Sequence, residues 1–91
     1  MTVTIYTRKI CSYCVHANNL FVRLGVSYQE ISLDGDPEAT QRMCEMSGRR
    51  SVPQIWIGDH HVGGCDDLYD LHRSGRLQTL LGGDTQTDKP N

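Results

Sequence analysis

Residues 9–15 read KICSYCV and place Cys11 and Cys14 three positions apart, where a strand pattern changes to a helix pattern. Before them, residues 2–7 (TVTIYT) are β-branched or aromatic, which is typical of a strand. After them, the apolar residues of segment 12–24 recur at helical spacing and fall on one face. The cysteine pair therefore lies at the start of a predicted amphipathic helix.

The elements that follow predict a βαβ unit and a second helix. Gly25 closes the first helix, and residues 28–33 (YQEISL) form a second strand candidate. Two strands joined by a helix in so short a segment are expected to be parallel, with a right-handed crossover. Asp36 and Pro37 begin the next helix as N-cap and first helical residue. Its predicted buried stripe consists of Ala39, Met43 and Met46.

The second half of the chain predicts a hairpin and two more helical segments. Residues 54–57 (QIWI) and 60–62 (HHV) flank a Gly-Asp turn, a hairpin signal. His60 and His61 are expected on the exposed surface of this hairpin. A third helix should end at Gly75, and a short helical piece follows it. The apolar residues that support these two helices are Leu68, Leu71, Leu77, Leu80 and Leu81.

Length and charge limit the protein class. The 91 residues predict one α/β domain over residues 1–82 and a loose tail over residues 83–91. A net charge of −2 argues against a nucleic-acid partner. No leader pattern or long apolar run is seen, so we expect no membrane association and a cytoplasmic location. Thiols are kept reduced there, so a close cysteine pair favours catalysis or metal binding over a permanent disulfide.

The two cysteines are predicted to have different roles. Cys11 lies at the helix start, where free backbone N–H groups and the helix dipole stabilise a thiolate. Cys14 lies on the edge of the apolar stripe, one turn further in. We therefore expect Cys11 to attack a sulfur and Cys14 to resolve the product. Arg8 and Lys9 add positive charge, and only one of these consecutive residues can readily face the thiol.

A structural zinc site is an alternative use of a Cys-x-x-Cys pair. Such a site needs a second pair of ligands, but Cys44 and Cys65 are 21 positions apart and the histidines are scattered. The spacing therefore argues against zinc. Cys44 lies off the predicted stripe of its helix, so we expect it on the outer side without a partner.

Three segments together resemble the glutaredoxins, in particular the small bacterial dithiol proteins of the glutaredoxin 3 type. They are residues 6–14 (YTRKICSYC), 51–57 (SVPQIWI) and 63–71 (GGCDDLYDL), and the likeness covers nearly residues 1–81. It implies a thioredoxin-like fold, a four-stranded mixed sheet flanked by helices. It also implies a glutathione-disulfide oxidoreductase that reduces protein disulfides and glutathionylated proteins, with glutathione as reductant and glutathione reductase as an indirect partner. Separately, we expect the protein to be a monomer.

The same resemblance implies a glutathione site. Ser51 and the backbone of Val52 would pair with the cysteine moiety of glutathione, beside a cis Pro53. The Gly-Cys-Asp segment would bind the γ-glutamyl end through helix N–H groups and a carboxylate, and two arginines would face the glycyl carboxylate. The full implied set is Arg8, Tyr13, Arg50, Ser51, Val52, Pro53, Gly64, Cys65 and Asp66.

Ser12 departs from the family pattern, in which proline is usual between the cysteines. Serine leaves this turn less rigid than proline does. Within the family, such turns are associated with [2Fe–2S] clusters, so an alternative is a cluster carrier or redox sensor with Cys11 as the protein ligand, joined by glutathione thiolates. Another alternative is a redoxin served by thioredoxin reductase, which would have no need of a glutathione clamp.

Overall fold

The computed structural model describes residues 2–82 and contains a four-stranded mixed sheet flanked by helices. The strand order is β2-β1-β3-β4, with β1 and β2 parallel and the other neighbours antiparallel. This confirms the predicted fold class, whereas the prediction for the tail lies outside the described residues. In chain order the elements are β1 (Val3–Thr7), α1 (Ser12–Arg23), β2 (Gln29–Ser32), α2 (Pro37–Ser47), β3 (Gln54–Ile57), β4 (His60–Gly63), α3 (Cys65–Arg73) and α4 (Arg76–Leu80).

The two faces of the sheet carry separate cores because successive side chains of a strand point to opposite faces. One face packs against α1, α3 and α4, and the other packs against α2. The larger core includes Val3, Ile5, Ala17, Leu20, Phe21, Ile55, Ile57, Leu68 and Leu77. The smaller core consists of Leu33, Ala39 and Met43, with Tyr6, Val52 and Trp56 packed against it.

Local signals in the sequence set the helix ends. The Asp36 carboxylate accepts the Ala39 N–H at 3.0 Å, and Pro37 occupies the first turn of α2. Gly48 ends that helix at φ 71°, a left-handed conformation that glycine adopts without steric cost. Cys11 itself is the N-cap of α1. The nucleophile predicted from the sequence is therefore part of the helix terminus.

Three predictions about side-chain positions were wrong. Met46 is 53% exposed, because the last turn of α2 lies over an open groove beside Tyr6 and Trp56 rather than over the closed core. Cys44 is partly buried and packs against the smaller core. His61 is also partly buried, since its ring stacks on Trp56 with centroids 4.7 Å apart.

Across residues 2–82, no helix combines the length and the apolar composition that crossing a bilayer requires.

Candidate functional site

The cysteine pair lies at the N-terminus of α1, and its two members differ in accessibility. Cys14 is 2% exposed, whereas Cys11 is only partly buried. Their side chains form a disulfide, with Cα atoms 5.2 Å apart. The backbone N–H of Cys14 also donates to Cys11 Sγ at 3.1 Å. The more accessible sulfur is thus the one that receives the helix N–H, as the predicted division of roles requires.

A cleft of about 290 Å³ lies beside this pair. The Sγ atom of Cys11 is 3.8 Å from the carbonyl oxygen of Val52, a cleft residue, and Tyr13 of the cleft wall is 60% exposed. The structure brings seven of the nine predicted glutathione residues into this cleft. The lining residues are Tyr13, Arg49, Ser51, Val52, Pro53, Gly64, Cys65, Asp66 and Asp67.

The floor of the cleft is formed by the loop before β3 and the start of α3. The Val52–Pro53 peptide bond is cis, as the resemblance implied. Gly64 brings the start of α3 close to this loop, since a Cβ at Gly64 would lie 3.5 Å from the carbonyl oxygen of Pro53. Both segments therefore contribute backbone to one small cleft next to Cys11.

Asp67 organises the N-terminus of α3, and sequence analysis did not identify it as a site residue. Its Oδ2 atom accepts the Gly64 N–H at 2.9 Å and the Arg49 guanidinium at 2.9 Å. The hydrogen bond from the Gly64 N–H is the main cause that lowers the pKa of the Asp67 carboxyl group, and the hydrogen bond from Arg49 lowers it further. At Gly63, with φ +114°, an added Cβ would collide with this carboxylate. An acidic residue at the third helical position is a known N-terminal capping signal and could have identified Asp67.

Two of the predicted cationic residues lie elsewhere. Arg8 and Arg50 line a second cavity of about 690 Å³ next to the start of α2, and Cys44 also lines it. Arg8 lies 3.9 Å from the Asp34 carboxylate. The arginine in the cleft is instead Arg49, which sequence analysis missed. No sequence signal separates two consecutive arginines, because the backbone direction decides which one faces the cleft.

A hydrogen-bonded chain supports Ser51 from behind. The Nε2 atom of Gln54 donates to the carbonyl oxygen of Ser51 at 3.1 Å and lies 3.3 Å from its hydroxyl. This leaves Gln54 Oε1 as the acceptor for His61 Nε2 at 2.7 Å. Burial is the main cause that lowers the pKa of His61, and the positive charge of Arg49 lowers it further, so the neutral form is favoured. Gln54 is fully buried, so its hydrogen bonds connect Ser51 to the interior of the protein and to His61.

The two remaining cysteines lack the features of Cys11. Cys65 lines the cleft but is only 8% exposed. Burial, with a contribution from Asp66, raises the pKa of the Cys65 thiol and keeps it protonated at neutral pH.

Within residues 2–82, no group of three or more His, Cys, Asp or Glu side chains is arranged to hold a metal ion.

Comparisons with known proteins agree with this geometry. The sequence profile described as Glutaredoxin matches residues 3–62. The chain is 52% identical over 79 residues to Glutaredoxin of Pseudomonas aeruginosa, covering 87% of this chain and 94% of that protein. It is 48% identical over 79 residues to Glutaredoxin 3 of Escherichia coli K12, covering 87% and 95%. A crystal structure of a buckwheat glutaredoxin–glutathione complex matches with a TM-score of 0.83 at 33% identity, covering 89% of this chain and 76% of that one.

The profile match includes the strand, the cysteine pair and the loop that carries the cis proline. The chain therefore belongs to the glutaredoxin family, whose members are thiol oxidoreductases.

Proposed function

We propose that the protein is a glutathione-dependent dithiol-disulfide oxidoreductase that reduces protein disulfides and glutathione mixed disulfides. The observation that carries this proposal is the position of Cys11, which caps α1 and adjoins a cleft suited to a peptide with charged ends. We place this activity in the cytoplasm, where glutathione is kept reduced.

In the proposed reaction, the Cys11 thiolate attacks one sulfur of a substrate disulfide. A bond forms between Cys11 and that sulfur, and the other substrate sulfur leaves as a thiolate. Cys14 then attacks Cys11, which releases the reduced substrate and leaves the Cys11–Cys14 disulfide. Two glutathione molecules return both cysteines to thiols and leave as glutathione disulfide, so the electrons balance.

The cleft offers complementary groups for the cysteinyl and γ-glutamyl parts of glutathione. The backbone of Val52 would pair with the cysteinyl residue of glutathione and hold its sulfur near Cys11. The first amides of α3 have no acceptor within the helix, and the N–H of Gly64 is taken by Asp67. The amides of Cys65 and Asp66 are thus suited to the α-carboxylate, and the Asp66 side chain to the α-ammonium group.

Two substrates separate the proposed roles of the cysteines. Cys11→Ser should abolish turnover of every substrate. Cys14→Ser should lose reduction of a protein disulfide but keep reduction of a glutathionylated peptide, because a second glutathione can resolve that intermediate. The rate of reduction is measured as the oxidation of a nicotinamide cofactor, which glutathione reductase couples to the formation of glutathione disulfide. Equal loss of both activities in the two variants would overturn the proposal.

A second candidate function is binding of a [2Fe–2S] cluster, favoured by Ser12 in the turn and by the accessibility of Cys11. Cys14 and Cys65 are 2% and 8% exposed, so Cys11 is the accessible one of the three cysteines in or beside the described cleft. The residues thus fit a cluster held by Cys11 of two protomers together with two glutathione thiolates. When bound, such a cluster would supply iron–sulfur redox chemistry.

Anaerobic incubation with iron, sulfide and glutathione tests this second candidate. Binding predicts visible absorbance and a dimer on gel filtration, both reduced by Ser12→Pro. A colourless monomer that behaves like its Ser12→Pro variant would reject it.

A further inference from the structure

Ile10 is the most exposed of the large apolar side chains that the described surface presents, although it directly precedes the reactive cysteine. Its exposed fraction is 95%, and Tyr13 and Val15 are 60% and 53% exposed. Three of the five exposed large apolar residues among residues 2–82 therefore lie within four positions of Cys11. Apolar surface of this kind is stabilised when a partner covers it.

The bend that carries Ile10 is anchored to the rest of the protein. The backbone N–H of Lys9 donates to Asp34 Oδ2 at 2.6 Å, which ties the bend to the loop after β2. Arg8, Lys9, Ile10 and Asp34 line a groove of about 320 Å³. This groove, which we call the Ile10 groove, shares no lining residue with the cleft beside Cys11. It is therefore a separate surface, which Ile10 connects to the reactive cysteine directly after it in the chain.

Disulfide geometry determines what reaches this surface during the reaction. A disulfide holds its two Cα atoms about 4.4 to 6.8 Å apart, and consecutive Cα atoms are about 3.8 Å apart. When Cys11 is bonded to a substrate cysteine, a residue beside that cysteine is separated from Ile10 by only the disulfide and one Cα–Cα step on each side, so it can approach Ile10.

We propose that the Ile10 groove is a specificity site for polypeptide substrates, which receives an apolar side chain adjacent to the substrate's half-cystine. Two cations and one carboxylate line the groove, so an acidic residue next to that apolar side chain is favoured as well. This inference rests on the proposed function, because it concerns the polypeptide that forms a mixed disulfide with Cys11. The electrons follow the route given above, with glutathione as the final reductant.

Two disulfide-linked peptide dimers test the inference. One carries Leu and Asp beside its cysteine, and the other carries Gly at both positions. The mixed disulfide of glutathione and 2-mercaptoethanol serves as a reference substrate, because it has no neighbouring side chain to place in the groove. For the wild-type protein, kcat/KM for the Leu-Asp peptide should exceed that for the Gly peptide by about tenfold, as expected for burial of an aliphatic side chain.

The matched variants are Ile10→Ser and Val22→Ser. Val22 is also exposed, at 65%, but lies near the far end of α1. Ile10→Ser should remove the selectivity between the two peptides, measured relative to the reference substrate, and Val22→Ser should keep it. Equal rates for the two peptides in the wild-type protein, or selectivity that survives Ile10→Ser, would overturn the inference. Failure of the wild-type protein to reduce the reference substrate would overturn the proposed function instead.

Discussion

The backbone N–H of Cys14 donates to Cys11 Sγ at 3.1 Å, so one cysteine of the pair stabilises the sulfur of the other. The donor is at the third position of α1, and the acceptor is its N-cap. An N–H group directed at sulfur favours a thiolate over a thiol, since the thiolate is the stronger acceptor. The sequence spacing of the pair thus supplies both an attacking group and the amide that activates it.

Selective alkylation follows from this arrangement. In the reduced protein at neutral pH, iodoacetamide should modify Cys11 before Cys14 and Cys65, which are buried, and before Cys44. Cys44 is the internal control, because it is partly exposed but lies within α2, away from a helix start. Peptide mapping by mass spectrometry at short times measures the order. Modification of Cys44 as fast as Cys11 would show that the helix start does not activate the thiolate.

Asp66→Asn should weaken the binding of glutathione to the protein. Loss of one charge-assisted contact with the α-ammonium group should raise the KM for glutathione by about tenfold, equivalent to about 1.4 kcal/mol. Asp70→Asn is the control, because Asp70 is exposed and pairs with Arg73 on the outer side of α3. Steady-state kinetics with one disulfide substrate measures both variants. The same KM in Asp66→Asn and the wild-type protein would remove Asp66 from the binding site.

The two consecutive arginines should differ in their effects. Arg49→Ala removes the guanidinium that contacts Asp67 in the cleft, whereas Arg50→Ala alters the second cavity. We expect the KM for glutathione to increase several-fold more in Arg49→Ala than in Arg50→Ala. The first variant removes the positive charge of Arg49 from the cleft and leaves the carboxylates of Asp66 and Asp67 there. Isothermal titration of glutathione against each Cys14→Ser double variant provides an independent measure. A larger loss for Arg50→Ala would show that glutathione extends toward the second cavity.

Asp67→Ala should reduce the free energy of unfolding by about 1 kcal/mol at pH 7, the usual cost of losing a helix cap. The pKa of the Asp67 carboxyl group is lowered in the folded protein, so its negative charge stabilises the folded state. This stabilisation is complete above the unfolded pKa of about 4 and is lost as the pH falls through the folded pKa. The difference between wild type and variant should therefore shrink below about pH 4. Urea unfolding across pH 3 to 7 measures it.

Asp70→Ala is the control for this experiment, because its exposed ion pair with Arg73 should contribute little at any pH. A difference for Asp67→Ala that stays constant from pH 7 to pH 3 would show that the Asp67 charge does not support the cap.

Much of the fold could be predicted because its signals are local. Strand and helix periodicity gave the order of the elements, and Asp36 with Pro37 correctly placed the start of α2. The cysteine spacing also predicted their unequal burial, since position 14 lies on the apolar stripe of α1 and position 11 precedes it. Such features depend on residues within a few positions of one another, so the sequence alone determines them.

The tertiary structure decided which distant residues meet. Arg49 reaches Asp67 across 18 positions, and His61 reaches Gln54 because β3 and β4 pair side by side, with a register shift between Ile55 and Trp56. The exposure of Met46 likewise depends on the open groove that the last turn of α2 forms with Tyr6 and Trp56 of the sheet. Consecutive residues of an extended segment point in different directions, so the choice between Arg49 and Arg50 depends on backbone orientation set by packing. The sequence by itself determined the reactive pair, and long-range packing determined the charges placed around it.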